Sequence, residues 1–179
     1  ADSSLVRFSG TNNDSILGSS STTFYGLSLD KSSNGIALGQ AIQIDDSLYF
    51  LAGSFDLNGN DLTLGTDNGG LSGESESSRI IGPSGGEVVK VLILTSPSNV
   101  NPGNMGATIS SSANLGSTTV KRGHVAQTLA NGNSINRYYD ISPTTNSGLN
   151  ASVRLDYFDA ELNSLDELAL ESHHGGNPN

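Results

Sequence analysis

The sequence contains no cysteine and no tryptophan, and only 8 of its 179 residues are Lys or Arg. Without cysteine, neither a disulfide framework nor a thiolate metal site can form. Asp and Glu number 18, and the resulting net charge of −10 argues against nucleic-acid binding, because phosphates require clustered Lys and Arg. The same charge argues against an anionic membrane surface. No apolar run approaches the roughly 18 residues of a membrane-spanning helix, so we expect no membrane insertion.

The residues that are abundant are Ser, Gly, Asn and Thr, which is typical of extracellular β-proteins with many tight turns. The sequence begins with Ala-Asp-Ser-Ser rather than Met, as a mature chain does after signal-peptide removal. We therefore expect an all-β protein located outside the cell or on its surface.

Residues 1–72 contain short apolar pairs, most of them separated by one residue. Alternation over only three or four residues indicates very short strands with one buried face. Such strands at near-regular spacing favour a short parallel β-helix, or solenoid, with about three strands per turn and about two and a half to three turns. A meander of small hairpins is the alternative, although hairpin strands are usually about five or six residues long. The pairs are Val6/Phe8, Ile16/Leu17, Leu27/Leu29, Ile36/Leu38, Ile42/Ile44, Leu48/Phe50, Phe55/Leu57 and Leu62/Leu64.

The pattern changes after this half. Residues 73–86, GESESSRIIGPSGG, combine charge, Pro and Gly and are predicted to be a connector. Residues 87–172 contain longer strands, beginning with the nearly continuous Val88–Leu94, and predict an antiparallel β-sandwich. One or two helical turns are expected around Leu162–Leu168. Residues 173–179 form a polar tail.

Catalytic residues are sparse, and we do not expect an enzyme. His124 is the only histidine outside the polar tail, and no Gly-x-Ser-x-Gly motif accompanies it. Glu74/Glu76 and Asp159/Glu161 are the closest matches to the carboxylate pair of a glycosidase. Both pairs lie near predicted turns and lack the aromatic platform on which sugar rings stack.

The stretch FDLNGNDL, which starts at residue 55, offers alternating oxygen-bearing side chains of the kind that bind calcium. An EF-hand loop counted from its first Asp would need Gly and Glu where the sequence has Asp61 and Asp67. A turn between two strands is therefore the favoured interpretation, with no cofactor, and calcium is the alternative. The candidate ligands are Asp56, Asn58, Asn60 and Asp61; other acidic groups are Asp45/Asp46 and Asp156/Asp159/Glu161.

Four stretches together resemble large secreted, adhesin-like surface proteins of Bacteroidota that use the type IX secretion route. They are FDLNGNDLTLG, LSGESESSRIIG, GATISSSANLGSTTVKRGH and SINRYYDISPTTNSGLNASVRLDYFDAELN. The resemblance covers about residues 20–168 and is most specific over Leu115–His124, Arg137–Asp140 and Tyr157–Leu162. It implies β-helix turns that run into a sandwich-like module. Family members usually continue into a further strand and a sorting domain, whereas this sequence ends at LALESHHGGNPN. We therefore expect a module that lacks its last strand or supplies it differently, and a sorting domain that is absent or removed on secretion.

Two sets of residues are candidates for glycan chemistry at the surface. Ser15 and Ser47 each follow Asp and precede an apolar residue, which fits the O-glycosylation motif of Bacteroidota. Tyr138 and Tyr139 are the best remaining platform for a glycan, although adjacent strand residues face opposite ways and one of them should be buried.

A short solenoid and a sandwich without its last strand both leave backbone groups unpaired at their edges. Two complementary edges on one chain form a heterologous interface, and such an interface builds filaments when it does not close. We therefore predict a non-enzymatic structural protein that pairs with itself in a cell-surface filament or sheath. The alternative is an adhesive or glycan-binding module of a larger surface protein.

Overall fold

The computed structural model describes residues 3–130 and 132–172, and these residues form an all-β fold, as predicted. The predicted polar tail, residues 173–179, lies outside the described residues. Within the described part, no helix is long and apolar enough to cross a membrane. The strands of the first half are β1 (Leu5–Gly10), β2 (Asp14–Ile16), β3 (Thr22–Phe24), β4 (Gly26–Leu38), β5 (Ile42–Ile44), β6 (Ser47–Asp56), β7 (Leu62–Leu64), β8 (Gly70–Ser72) and β9 (Ile80–Ile81).

The first half is a parallel solenoid of about four turns, which confirms the predicted architecture. One sheet has the order β1-β4-β6-β8, with β2 beside β4 and β9 beside β6; the other stacks β3, β5, β7 and β10 (Glu87–Thr95). Apolar residues about 20 positions apart lie in register, as in the pairs Leu27–Leu48 and Ile42–Leu62. Stacking these positions buries a continuous apolar core between the two sheets.

The solenoid has more turns than the apolar pairs predicted because its first and last turns use residues outside the pattern. Thr22–Phe24 completes the first turn, and Ile80–Ile81 belongs to the last. The segment predicted as a connector, residues 73–86, therefore contributes to the fourth turn, and Ile80 is fully buried there. The sheet that contains β3, β5 and β7 also continues through β10, which pairs in parallel with β7 and antiparallel with β12 (Asn114–Gly123).

The second half is antiparallel. β12 and β15 (Tyr138–Pro143) extend the solenoid sheet beyond β10, while β11 (Ala107–Ser111) and β16 (Ala151–Leu155) form a separate two-stranded sheet. Tyr139 points inward from β15, and its hydroxyl lies 2.8 Å from the Met105 carbonyl and 2.9 Å from the Asp156 carbonyl. Met105 lies just before β11 and Asp156 just after β16, so the two-stranded sheet covers the inward face of the extension. The remaining strands, β13 (Thr128–Leu129) and β14 (Gly132–Asn133), pair with each other.

Three short 3-10 turns complete the described chain, at Pro102–Asn104, Asp159–Glu161 and Glu167–Ala169. The helical turn expected around Leu162–Leu168 does not form as one element. Asn163 and Ser164 adopt positive φ values of 53° and 63°, which interrupt a helix at this point. The segment is therefore split into two separate turns.

Candidate functional site: two open sheet edges and a buried ion-pair cluster

The first turn of the solenoid is open to solvent. Among the described residues, β1 pairs only with β4, and β3 pairs only with β5. Val6 is in register with Leu27, which is fully buried, yet Val6 itself is 38% exposed. Leu17, just after β2, is 74% exposed. The column of core side chains therefore reaches the end of the solenoid without a cover.

The backbone of β1 also has a free edge. The Gly26 N–H donates to the Ser4 carbonyl at 3.2 Å, which places the hydrogen-bonding groups of Ser4 and Val6 on the β4 side. Because these groups alternate along a strand, Leu5 and Arg7 direct their N–H and C=O groups away from β4. A further strand can pair with these groups.

A second open edge lies at β16. All five of its residues are exposed, and it pairs only with β11 within the described chain. Val153 and Leu155 lie opposite Ile109 and Ala107, which are buried, so both pairs face the interior between the sheets. Val153 and Leu155 nevertheless remain 46% and 47% exposed. The interior beneath β16 is therefore only partly covered, as in a sandwich that lacks a strand.

The free backbone groups of β16 can be located from the pairing of its neighbour. The Ile109 N–H and C=O bond to Val100, at 2.7 and 3.0 Å, and therefore point away from β16. Val153, which faces Ile109, is consequently in a non-hydrogen-bonded pair. Its N–H and C=O point to the outer edge of β16.

A buried ion pair joins the fourth turn to β12. Both guanidinium Nη atoms of Arg122 donate to the carboxylate of Glu74 at 2.9 Å, and Nη1 also donates to the Met105 carbonyl at 3.0 Å. Burial alone would raise the pKa of Glu74, but the Arg122 charge and the hydrogen bonds from Arg122 and the Ile80 N–H hold that pKa below its ordinary value. The pair is thus ionised and holds the last turn of the solenoid against the antiparallel half.

A second buried group surrounds Glu161. Arg137 donates to its carboxylate at 2.8 Å, and the Nδ1 atom of His124 lies 3.4 Å from it. Burial is the main cause that lowers the pKa of His124 to about 4, so the imidazole is neutral at pH 7. Its Nε2 atom is buried and has no hydrogen-bond partner among the described residues. Arg137 also lies 5.0 Å from the centre of the Phe158 ring.

His124 and Glu161 line a cavity of about 400 Å³, together with Arg79, Asn136 and mainly apolar residues. A histidine oriented by a carboxylate is one half of a catalytic triad. The third member would be a nucleophile, and the lining residues in the described chain include no serine, threonine, cysteine or lysine. Through Glu161, the arrangement links the chain segments that carry His124 and Arg137.

The two carboxylate pairs singled out in the sequence come together, but as structural contacts. Glu76 accepts the backbone N–H groups of Asp159 and Ala160 at 2.9 and 3.0 Å. Glu74 and Glu161 each bind an arginine. Sequence reasoning missed the arginines; the one available signal is that Arg122 occupies an inward position in the alternating strand β12.

The candidate calcium ligands lie at the corner between β6 and β7. Asn58 and Asn60 both donate through their side-chain amides to the Leu38 carbonyl of the preceding turn, at 2.9 and 3.1 Å. Asp56 accepts the Asn58 N–H at 2.8 Å. Asp61 accepts the N–H of Glu87, the first residue of β10, at 2.9 Å. These side chains connect successive turns. The described residues contain no cluster of three or more His, Asp or Glu placed to hold a metal ion, and calcium at this corner stays a prediction.

Tyr138 and Tyr139 face opposite sides of β15. Tyr139 points inward and is largely buried, as its two carbonyl contacts require. Tyr138 points outward, and its hydroxyl donates to Glu87 at 2.9 Å. Partial burial and the neighbouring Glu87 raise the pKa of Tyr138 to about 12.

The candidate glycosylation residues differ in accessibility. Ser15 is exposed in β2, an edge strand of the open turn, whereas Ser47 is half-buried at the start of β6. Ser15 is therefore the more accessible of the two in the folded chain.

The chain matches no protein-family model, no curated protein and no solved structure. A proposal about function therefore depends on the two open edges, on the ion-pair cluster and on the residues around them.

Proposed function

We propose that this protein is a non-enzymatic structural subunit that associates with itself outside the cell, in a filament or sheath. The observation that carries the proposal is the exposed end of the solenoid. There, the apolar column ends at Val6 without a cover and the backbone of β1 has a free edge. A strand from another copy would supply the missing hydrogen bonds and cover the apolar side chains.

The second open edge, β16, supports an extended assembly. A chain with two different open edges can pair one with the other, and repetition of that contact gives a filament rather than a closed dimer. One edge belongs to the first turn of the solenoid and the other to the antiparallel half, and the ion-pair cluster joins these two parts of the subunit. The cluster would transmit tension along such an assembly.

The alternative, an adhesive or glycan-binding module, is less well supported. Its best candidate side chains are Tyr138 and Tyr139, but the second is largely buried and the hydroxyl of the first is bound to Glu87. A glycan platform at this position would use only the exposed part of the Tyr138 ring.

Sedimentation velocity and negative-stain microscopy over a range of concentrations test the proposal. We expect polymers of uniform width that become longer as the protein concentration rises. Deletion of residues 1–10 should leave monomers, because it removes β1. A chain that stays monomeric at high concentration, with its native circular dichroism spectrum, would contradict the proposal.

A glycan array separates the two functions. The alternative would be supported if the protein bound a glycan without ever polymerising and the Tyr138→Ala variant lost that binding.

A further inference from the structure

Each end of the subunit presents two layers of sheet, not one. At the solenoid end the layers terminate in β1 and β3. At the other end, β15 terminates the sheet that contains β3, and β16 belongs to the small sheet that covers the same inward face. The layer facing this long sheet is therefore formed by β1 and its neighbours at one end and by β16 at the other.

The geometry points to a specific head-to-tail junction, in which β16 of one copy pairs with β1 of the next while β15 pairs with β3. Both layers then continue from subunit to subunit. This inference rests on the proposed self-association and identifies the surfaces that carry it.

The two edges that would form the first layer match in length and in the side chains that they present. β1 has six residues and β16 has five, so both span about 17–20 Å. Val6 points into the solenoid interior, while Val153 and Leu155 point into the interior of the antiparallel half. Side by side, each strand would cover the apolar residues that the other leaves exposed, and water would be excluded from both.

The charges at these edges permit two copies to meet despite the net charge of −10. Each edge strand carries a single arginine that is paired with a nearby aspartate, Arg7 with Asp30 and Arg154 with Asp156. Neither strand is therefore strongly acidic. A symmetric contact between two solenoid ends would leave β15 and β16 unpaired, whereas the head-to-tail contact uses all four edge strands and is therefore favoured.

Proline at position 153 tests the junction through the backbone. The Val153 N–H points to the free edge, so Val153→Pro removes a donor needed by an incoming strand but leaves the bonds to β11 intact. We expect Val153→Pro to weaken association at least about tenfold. Val153→Ala is the matched control, because it shortens the same side chain and keeps the N–H. It should weaken association less. Both variants should unfold at denaturant concentrations close to that of the parent.

Single cysteines identify which edges meet, because the parent chain contains none. Ser9→Cys lies in β1 and Ser152→Cys in β16, both exposed. A short bismaleimide should cross-link a mixture of the two variants but should give no dimer from either variant alone. Cross-linking of Ser9→Cys with itself, or unchanged assembly of Val153→Pro, would overturn this junction while the parent still polymerises. A parent that sediments as a monomer would overturn the proposed function as well.

Discussion

The same column of core side chains is buried at one end of the solenoid and partly exposed at the other. Val6, Leu27, Leu48 and Leu71 lie in register across the four turns. Leu71, at the last turn, is 3% exposed, whereas Val6, at the first turn, is 38% exposed. The difference arises from the chain that packs on each turn. The last turn is covered by the antiparallel half of the chain, and nothing in the described residues covers the first.

Closing an end requires hydrogen bonds as well as apolar cover. The Asn104 side chain donates to the Leu71 carbonyl at 2.9 Å, and the Glu74 carboxylate of the same turn accepts from Arg122. These contacts satisfy polar groups that would otherwise be buried without partners. The open end lacks such contacts on its outer side among the described residues, and β1 keeps an edge that another strand can use.

The largest expected effect comes from breaking the ion pair at the closed end. Arg122→Met leaves the Glu74 carboxylate buried without its partner, so we expect a loss of about 3–5 kcal/mol in the free energy of unfolding. Urea denaturation measures it. The double variant Arg122→Met with Glu74→Leu should recover much of this loss, because it removes the stranded charge. If Arg122→Met alone cost less than about 1 kcal/mol, the ion pair would not hold the closed end.

Acidification should lower the stability of the closed end of the solenoid because it protonates His124. Its pKa in the folded chain is about 4, below the ordinary 6.5, so the unfolded chain binds the extra proton between these pH values. The stability due to the neutral imidazole is complete above pH 6.5 and is lost as the pH falls towards 4. The expected loss is about 3 kcal/mol.

Urea denaturation between about pH 7 and pH 4.5 checks this pH dependence. Above this lower limit, Glu74 and Glu161 stay ionised in the folded chain and contribute little to the dependence, because their pKa values lie below the ordinary 4.5. His124→Gln should remove most of the dependence in this range. An equally steep dependence in the variant would assign it to other groups.

The corner between β6 and β7 lies between the two ends and should show the smallest effect on stability. Asn58→Gly retains the backbone with its φ of 47° but loses the side-chain bond to Leu38, at a cost of about 1 kcal/mol. Asn58→Ala should cost more, because alanine is also strained at positive φ. Thermal unfolding measured with and without calcium distinguishes this structural hydrogen bond between turns from calcium binding at the corner. A large calcium-dependent stabilisation that Asn58→Gly abolishes would favour the metal.

The solenoid could be predicted because its burial pattern is local and repeats. Pairs such as Leu27/Leu29 and Leu48/Phe50 recur at the spacing of one turn, and each strand buries alternate residues. The fourth turn was harder to predict because it contains a longer excursion of Gly, Ser and charged residues. Its only deeply buried apolar residue between β8 and β10 is Ile80. Linkers have the same composition, so the sequence alone did not distinguish this turn from a linker.

The ion-pair cluster could not be predicted for a different reason. Arg122 and Glu74 are 48 residues apart, and an arginine in an alternating strand is normally assigned to the solvent side. Only the fold shows that Arg122 points inward. Open edges were expected in general, since short solenoids need caps, but their positions at β1 and β16 depend on the sheet order.

Sedimentation velocity of Arg7→Pro beside Arg7→Ala tests the central claim, that the open end of the solenoid joins subunits, most directly. Both variants lose the exposed ion pair with Asp30, which contributes less than about 1 kcal/mol, so both should remain folded. Only Arg7→Pro also removes the outward N–H of β1. We predict that Arg7→Ala polymerises like the parent and that Arg7→Pro sediments as a monomer. Polymers of equal length from both variants would contradict the claim.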